Sequence, residues 1–246
     1  MTTKLLAPTC IPADQLLHSL QSEGYAVLQA ETVASWARVE LSELNALVPS
    51  WNSLPPDEYL KDGGRYRTRR HACFTVDNGN VKLVPHRAHW QPVAYNALHG
   101  GMQRWFGAID PEILAAPAWT QLMRSLAGLC SHLKGQQTWF VEAHQFRIDT
   151  TDGIGRPTPE GAHRDGVDLV AVFLVARHAV KGGETRVFEA DGPNGKRFTL
   201  TQPWSLLLLD DARVIHESTP IQPEAVGGYR DTLVVPLRSN SFQGEP

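Results

Sequence analysis

Hydrophobic positions recur at helical spacing in the first half of the chain. Two apolar stripes repeat every three or four residues, over residues 33–48 and 119–133. The first stripe consists of Val33, Trp36, Ala37, Leu41, Leu44 and Val48, and the second of Trp119, Leu122, Met123, Leu126, Leu129 and Leu133. Each stripe predicts an amphipathic helical segment that buries one face against the rest of the protein.

From residue 138 onwards the pattern changes to short segments rich in β-branched, aromatic and aliphatic residues. The predicted strands are Trp139–Ile148, Asp168–Ala176, Glu184–Ala190, Arg197–Thr201, Trp204–Leu209 and Thr232–Leu237. The Gly-Gly and Asn-Gly pairs between them are typical of tight turns. Short strands at this regular spacing predict a mainly β fold with supporting helices, either a sandwich or a barrel, and a jelly roll is favoured because it brings remote strands together.

The chain of 246 residues contains no internal repeat, and we expect it to form a single domain over residues 1–246. Residues 1–137 are predicted to supply mostly helical support and a lid. Residues 138–238 are predicted to form the jelly-roll core that carries the functional site.

Charge and cysteine content narrow the possible classes of protein. The formal net charge is −3, with 23 Lys and Arg against 26 Asp and Glu, so a nucleic-acid partner is not expected. The three cysteines are widely spaced and in no paired motif, which favours a reducing, cytoplasmic setting over a disulfide framework. No apolar run approaches the roughly 18 residues of a membrane span, so we expect a soluble protein without a membrane partner.

Two segments could together form a metal site. His163 and Asp165 lie two positions apart, and side chains at that spacing in an extended segment point to the same side. His216, from a distant strand, could complete a set of two histidines and one carboxylate. Such a triad leaves coordination positions open and suits non-heme Fe(II) that must bind a substrate and dioxygen together. We therefore predict that His163, Asp165 and His216 are metal ligands and catalytic residues.

Each of these residues also has an ordinary interpretation. A single histidine is more often a surface or hydrogen-bonded residue than a ligand. Arg164 lies between the two proposed ligands, but alternation should point it away from the metal, and we expect it to support the structure. The acidic pair Asp210-Asp211 is predicted to shape a turn and cap before Val214, the alternative being that one of its carboxylates is a metal ligand.

The ordered set of motifs resembles the Fe(II)- and 2-oxoglutarate-dependent dioxygenases, and more narrowly the bacterial free L-amino-acid hydroxylases typified by L-isoleucine dioxygenase. The matching segments are His144-Gln145-Phe146-Arg147, Pro159 to Gly166, Gly182-Gly183-Glu184, Asp210-Asp211, His216 to Ile221 and Gly228 to Asp231. The match is strong over residues 138–238 and looser before them. The resemblance implies a double-stranded β-helix of the cupin-like type, with Fe(II), 2-oxoglutarate and dioxygen as cofactor and co-substrates.

Arg230 follows His216 by fourteen residues, which fits the family's pattern for the residue that binds the distal carboxylate of 2-oxoglutarate. A guanidinium suits this role because it binds a carboxylate bidentately and stays charged when it is desolvated. The alternative is a surface salt bridge from Arg230 to Asp231 or Glu224.

Polar residues on the first predicted strand of the core could line the same pocket. Gln145 and Arg147 share one face, and we predict that they contact 2-oxoglutarate or the substrate, the alternative being a solvated outer face. The basic run from Arg65 to Arg70 is either a solvated loop or part of a lid that binds a substrate carboxylate.

The resemblance implies that the protein hydroxylates the side chain of a small free L-amino acid while 2-oxoglutarate and O2 become succinate and CO2. The alternatives are a non-oxygenase cupin-like metalloenzyme, such as an isomerase or hydrolase, and a dioxygenase that acts on a modified or carrier-bound amino acid. The candidate groups for the substrate carboxylate are Arg65, Arg67, Arg69, Arg70 and Arg147, and those for its ammonium are Glu142 and Asp149. The sequence does not decide between these groups. It also leaves open which amino acid is the substrate, which carbon is oxidised and what the oligomeric state is.

Overall fold

The computed structural model describes residues 5–244, and its central element is an eight-stranded, mainly antiparallel sheet. Thirteen strands are present in the described part of the chain: β1 Tyr25–Leu28, β2 Arg67–Asp77, β3 Asn80–Leu83, β4 Gly107–Ala108, β5 Trp139–Asp149, β6 Leu169–His178, β7 Val180–Gly182, β8 Thr185–Glu189, β9 Gly195–Phe198, β10 Leu206–Asp210, β11 Val214–Ser218, β12 Ile221–Pro223 and β13 Tyr229–Arg238. The main sheet has the order β1-β10-β6-β13-β5-β2-β3, and β4 pairs with β2.

Two smaller sheets complete a jelly roll. Their orders are β11-β8-β9 and β12-β7. Apolar side chains of β8, β9 and β11 share one buried cluster with side chains of β6 and β10, so the three-stranded sheet packs on one face of the main sheet. The predicted mainly β, jelly-roll fold is confirmed.

Helices cover the other face of the main sheet. Their bounds are α1 Leu16–Glu23, α2 Ala30–Ala37, α3 Leu41–Asn45, α4 Pro111–Leu114 and α5 Pro117–Lys134, with 3₁₀ turns at Ala13–Gln15 and Val48–Ser53. The second apolar stripe lies on α5, where Trp119, Leu122 and Met123 are fully buried against Val141 and other residues of the sheet. Each such side chain contributes roughly 1.5–3 kcal/mol by its burial, so this helix anchors the outer layer.

The first apolar stripe belongs to several short elements instead of one continuous helix. The helix α2 ends at Ala37 and is followed by Arg38, whose backbone is left-handed with φ 56°, and α3 begins with a capping box formed by Glu40 and Glu43. The stripe residues nevertheless lie in or against the same core cluster as α5. The buried face was therefore predicted correctly, whereas the breaks in the helix were not.

The first half of the chain also supplies four strands that the sequence analysis did not predict. The strand β2 pairs with β5 over ten residues, from Arg67 opposite Ile148 to Val76 opposite Trp139. The basic run therefore enters the sheet itself, and the expected lid or solvated loop is corrected for residues 67–70. The sequence analysis did not recognise β2 as a strand, because arginines occupy positions where a strand usually carries apolar side chains.

Each of the six strands predicted after residue 138 overlaps an observed strand. The last of them, β13, begins at Tyr229, three residues earlier than predicted, because buried polar residues extend it. No helix within residues 5–244 is long and apolar enough to cross a membrane.

Candidate active site

A cavity of about 150 Å³ lies between the main sheet and β11. Strand alternation decides which residues reach it. On β5 the lining side chains are Phe140, Glu142, His144, Phe146 and Ile148, and on β13 they are Arg230, Thr232, Val234, Pro236 and Arg238. The intervening positions of both strands face the helices. Because one set of alternate positions borders the cavity and the other packs under the helices, the strands are buried on both faces.

His163, Asp165 and His216 converge at one end of this cavity. Two backbone hydrogen bonds join the histidines, from His163 N to His216 O at 3.0 Å and from His216 N to His163 O at 2.9 Å. The Asp165 carboxylate lies 3.7 Å from His163 Nε2 and 3.8 Å from His216 Nε2. One donor atom from each residue lies within 4.8 Å of the others, so the three could hold a single metal ion.

The two imidazoles differ in their surroundings but each can turn Nε2 towards the ion. His163 Nδ1 donates to the Gly161 carbonyl at 2.9 Å, which leaves the Nε2 lone pair free to face Asp165 and His216. Burial lowers the pKa of His216 to about 3, and the neighbouring His163 also lowers it. Burial lowers the pKa of His163 too, but the Asp165 and Glu160 carboxylates outweigh it and raise that pKa. Two imidazoles and one carboxylate are the donor set expected for divalent iron.

The loop that carries Asp165 is fixed by Asp211. The fully buried Asp211 carboxylate accepts backbone hydrogen bonds from Asp165 at 2.9 Å, Gly166 at 2.7 Å and Val167 at 3.0 Å. Arg164 points away from the metal ligands and donates through Nε to the Asp211 carbonyl at 2.6 Å. Asp211 thus positions a candidate ligand and does not itself belong to the group of donor atoms that could hold a metal.

We predict that replacing Asp211 with Ala lowers the free energy of unfolding by about 3 kcal/mol, because buried N–H groups lose a charged acceptor. The loop that carries Asp165 should also become more mobile in this variant, so the variant should retain less iron. Chemical denaturation and iron content after gel filtration measure the two effects. Asp191→Ala, at an exposed position, is the matched control. Equal stability of the two variants would show that the Asp211 hydrogen bonds contribute nothing.

Arg230 lies in the same cavity without an ion-pair partner among the described residues. It is 4% exposed, and its Nε has no hydrogen-bond partner. Burial lowers the pKa of Arg230 to about 10, and Arg177 also lowers it, but the guanidinium remains protonated near neutral pH. The alternative of a surface salt bridge with Asp231 or Glu224 does not occur. A buried cation without a partner can accept the carboxylate of a bound molecule.

Gln145 and Arg147 do not line the cavity, and their predicted position there is corrected. Gln145 is fully buried on the helix-facing side of β5 and donates to Ser50 Oγ at 2.8 Å. Arg147 on the same side forms two 2.8 Å hydrogen bonds to the Asp231 carboxylate. Strand alternation correctly predicted that they share a face, but the polar face that borders the cavity is the one with Glu142 and His144.

A second group of possible ligands surrounds Glu142 and consists of His71, His89 and His144. Glu142 Oε2 lies 3.0 Å from His71 Nε2 and 2.7 Å from His89 Nδ1, so both rings donate to it. Arg69 donates to His144 Nδ1 at 2.8 Å, which puts the proton of the neutral ring on Nε2, 3.6 Å from the same carboxylate. With this arrangement of protons the four residues form a hydrogen-bonded group beside the cavity.

The structure also brings residues from the segment between β3 and β4 into the cavity. Gln91 donates to Asp165 Oδ1 at 3.1 Å, and its Oε1 accepts hydrogen bonds from Asn96 at 3.2 Å and Arg104 at 3.0 Å. The sequence analysis missed Gln91 and Arg104 because this segment has little secondary structure and no recognisable motif. The only sequence feature that could have indicated these two residues is their polarity, because the cavity needs polar groups that pair with its charged residues.

Comparison with known proteins is consistent with this geometry. The sequence model of a family described as 2OG-Fe dioxygenase matches residues 48–236. Among solved structures, a bsmA homolog from Methylobium petroleophilum PM1 is 48% identical, with 98% of each chain covered and a TM-score of 0.93. No curated protein sequence matches the chain significantly.

Two further structures share the fold at lower identity. A protein named IDO from Bacillus thuringiensis is 19% identical, with 94% of this chain and 99% of that chain covered and a TM-score of 0.76. The Fe(II)/α-ketoglutarate-dependent dioxygenase TqaL is 17% identical, with 94% of this chain and 90% of that chain covered and a TM-score of 0.71.

Proposed function

This chain belongs to the 2OG-Fe dioxygenase family, whose members use Fe(II) and 2-oxoglutarate, and we propose that it hydroxylates the side chain of a small free L-amino acid. The observation that carries the proposal is the arrangement of one cavity. It combines the convergent donor atoms of His163, Asp165 and His216 with the unpaired, buried guanidinium of Arg230.

In this proposal His163, Asp165 and His216 would hold Fe(II), and Arg230 would bind the distal carboxylate of 2-oxoglutarate. The bound iron supplies the oxidative chemistry by which O2 and 2-oxoglutarate become succinate and CO2 while one oxygen atom enters the substrate. The protein residues bind and orient the two small molecules. His163 and His216 would each present the Nε2 lone pair to the ion, Gln91 and the backbone hydrogen bond to Asp211 orient Asp165, and the apolar wall of Phe140, Val172 and Val234 limits water.

The charges of the cavity support an amino acid as the substrate. Arginines and carboxylates line the same small space, namely Arg67, Arg69 and Arg104 together with Glu142 and Glu160. A free amino acid presents a carboxylate and an ammonium together, so its two charges match a wall of mixed sign. A purely apolar substrate would leave the unpartnered buried atoms of Arg67, Arg104 and Glu160 without a polar contact.

A substrate screen tests the proposal. The protein is incubated with Fe(II), 2-oxoglutarate and O2 and each proteinogenic L-amino acid, and succinate is measured together with a mass gain of one oxygen in the amino acid. We expect one or a few amino acids to give both products in equal amounts. Samples without 2-oxoglutarate are the control. If every free amino acid failed while a peptide or a carrier-bound residue was oxidised, the free-amino-acid part of the proposal would be rejected and the metal site would stand.

A further inference from the structure

The structure reduces the candidates for the substrate carboxylate. Arg65 has a side chain that is 87% exposed, and Arg70 pairs with Asp110 outside the cavity. Arg147 is bound to Asp231 on the opposite face of β5. Of the arginines considered from the sequence, Arg67 and Arg69 therefore remain, since both line the cavity.

Arg67 and Arg69 each keep one buried guanidinium nitrogen without a hydrogen-bond partner, Nη2 and Nε respectively, but aromatic rings cover Arg69. The Arg67 Nε donates to Asp57 Oδ2 at 2.8 Å, but its Nη2 is buried without a hydrogen-bond partner. The Arg69 guanidinium lies 3.5 Å from the centre of the Phe106 ring and 4.3 Å from that of Phe146, and it donates to His144. Arg104, which also lines the cavity, has an unpartnered buried Nε.

The structure also reduces the candidates for the group that binds the substrate ammonium. Asp149 is absent from the cavity wall, and Glu142 Oε2 already accepts hydrogen bonds from two histidines. Glu160, three residues before His163, lines the cavity with a side chain that is only 11% exposed. Its Oε1 lies 3.5 Å from His163 Nε2, and its Oε2 is buried without a hydrogen-bond partner.

We propose that Arg67 and Arg104 bind the α-carboxylate of the substrate and that Glu160 binds its α-ammonium. The inference rests on the proposed function, because it assumes that the substrate is an amino acid. The three residues share one cavity, and each has a buried polar atom that lacks a partner among residues 5–244. Such atoms carry a desolvation cost that a ligand of opposite charge offsets.

Electrostatic coupling and one hydrogen-bond chain support this assignment. The pKa of Arg104 is lowered to about 10, because burial and the charge of Arg67 lower it more than carboxylates such as Glu160 raise it, so these charges act on one another. Arg104 also donates to Gln91, which donates to Asp165. Two hydrogen bonds thus connect the proposed carboxylate site to a candidate metal ligand, which would fix the distance between the substrate backbone and the iron.

The proposal predicts selection for both charges of the substrate. The wild-type protein should oxidise the preferred amino acid of the screen well and should discriminate against its N-acetyl derivative and its carboxamide by on the order of a hundredfold or more in kcat/KM, since each leaves a buried charge unpaired. Glu160→Gln should raise KM for the free amino acid on the order of a hundredfold and should lose discrimination against the N-acetyl derivative alone.

The second variant tests the carboxylate end without disturbing the buried Asp57. Arg67→Lys keeps a cation beside that carboxylate but removes the free guanidinium N–H groups, so it should weaken discrimination against the carboxamide and leave discrimination against the N-acetyl derivative unchanged. Arg65→Lys and Glu189→Gln, at exposed positions, are the matched controls and should behave as wild type. Unfolding midpoints of all variants, with and without the free amino acid, give a binding readout that does not depend on turnover.

The outcomes separate this inference from the proposed function. If the wild type oxidises the N-acetyl derivative or the carboxamide as well as the free amino acid, the assignment of these residues is overturned and the proposed function stands. If Glu160→Gln changes the visible absorption band of Fe(II) with 2-oxoglutarate, Glu160 acts on the metal and its assignment to the ammonium is overturned. If no free amino acid is oxidised, the proposed function is rejected, and this inference is rejected with it because it assumes an amino-acid substrate.

Discussion

Replacing His216 with Ala is expected to abolish substrate-dependent succinate formation while the fold survives. His216 contributes one of the three donor atoms that converge at the end of the cavity. Its side chain is not required for the strand, because the hydrogen bonds between residues 163 and 216 and the pairing of β11 with β8 use backbone atoms. Loss of one ligand should therefore remove iron without unfolding the sheet. Succinate release, bound iron and the far-ultraviolet circular dichroism spectrum measure the three parts of this prediction.

His18→Ala is the matched control for this experiment, because His18 is an exposed histidine of α1. It should keep the iron content and turnover of the wild type. The assignment of His216 as a ligand would fail if His216→Ala retained iron and turned over at a near-normal rate. A variant that loses both iron and its circular dichroism signal would show instead that His216 is needed for folding.

The convergence of His163, Asp165 and His216 could be predicted from the sequence because its geometry is local in part. His163 and Asp165 are two residues apart, and an extended segment fixes their common side whatever the rest of the fold does. The approach of His216 depends on long-range pairing, and only the order of the motifs indicated it. The helix over residues 117–134 was equally accessible, because its apolar stripe is continuous from Trp119 to Leu133.

The face of a strand was harder to predict than its position. Alternation indicates which residues of β5 share a side, but both sides are buried and both carry polar groups. Gln145 and Arg147 face the helices, where Gln145 donates to Ser50 and Arg147 pairs with Asp231. His144 and Glu142 face the cavity. Ser50 and Asp231, the partners that decide which side faces the helices, lie 95 and 84 positions away along the chain. The local sequence around β5 therefore does not show which face borders the cavity.

The arginines of β2 illustrate the same difficulty. A run of basic residues is typical of a solvated surface. Here Arg67 and Arg69 are nearly fully buried because Asp57, ten residues before Arg67, supplies a carboxylate between them, and the aromatic rings of Phe106 and Phe146 cover Arg69. Tertiary pairing thus outweighs the cost of burying charges, and it converts an apparent surface run into part of a binding cavity.

Arg230→Ala is expected to raise the 2-oxoglutarate concentration needed for half-maximal turnover far more than the corresponding amino-acid concentration. Arg230 is buried in the cavity, has no ion-pair partner within the described residues and stays protonated near neutral pH. Its removal would leave a desolvated carboxylate without a cation, a loss of about 3 kcal/mol that corresponds to roughly a hundredfold in affinity. Succinate formation is measured against 2-oxoglutarate at saturating amino acid, and then with the two roles reversed.

Arg230→Lys separates charge from geometry in the same measurement. A lysine keeps the positive charge but cannot donate two parallel hydrogen bonds to one carboxylate, so it should recover only part of the lost affinity. Arg65→Ala removes an exposed guanidinium and should leave both dependences as in the wild type. An unchanged 2-oxoglutarate dependence in Arg230→Ala would reject the assignment. An equal rise in the concentrations of 2-oxoglutarate and of amino acid needed for half-maximal turnover would mean that Arg230 shapes the whole cavity. Loss of a residue that binds only the 2-oxoglutarate carboxylate must weaken the binding of 2-oxoglutarate more than that of the amino acid.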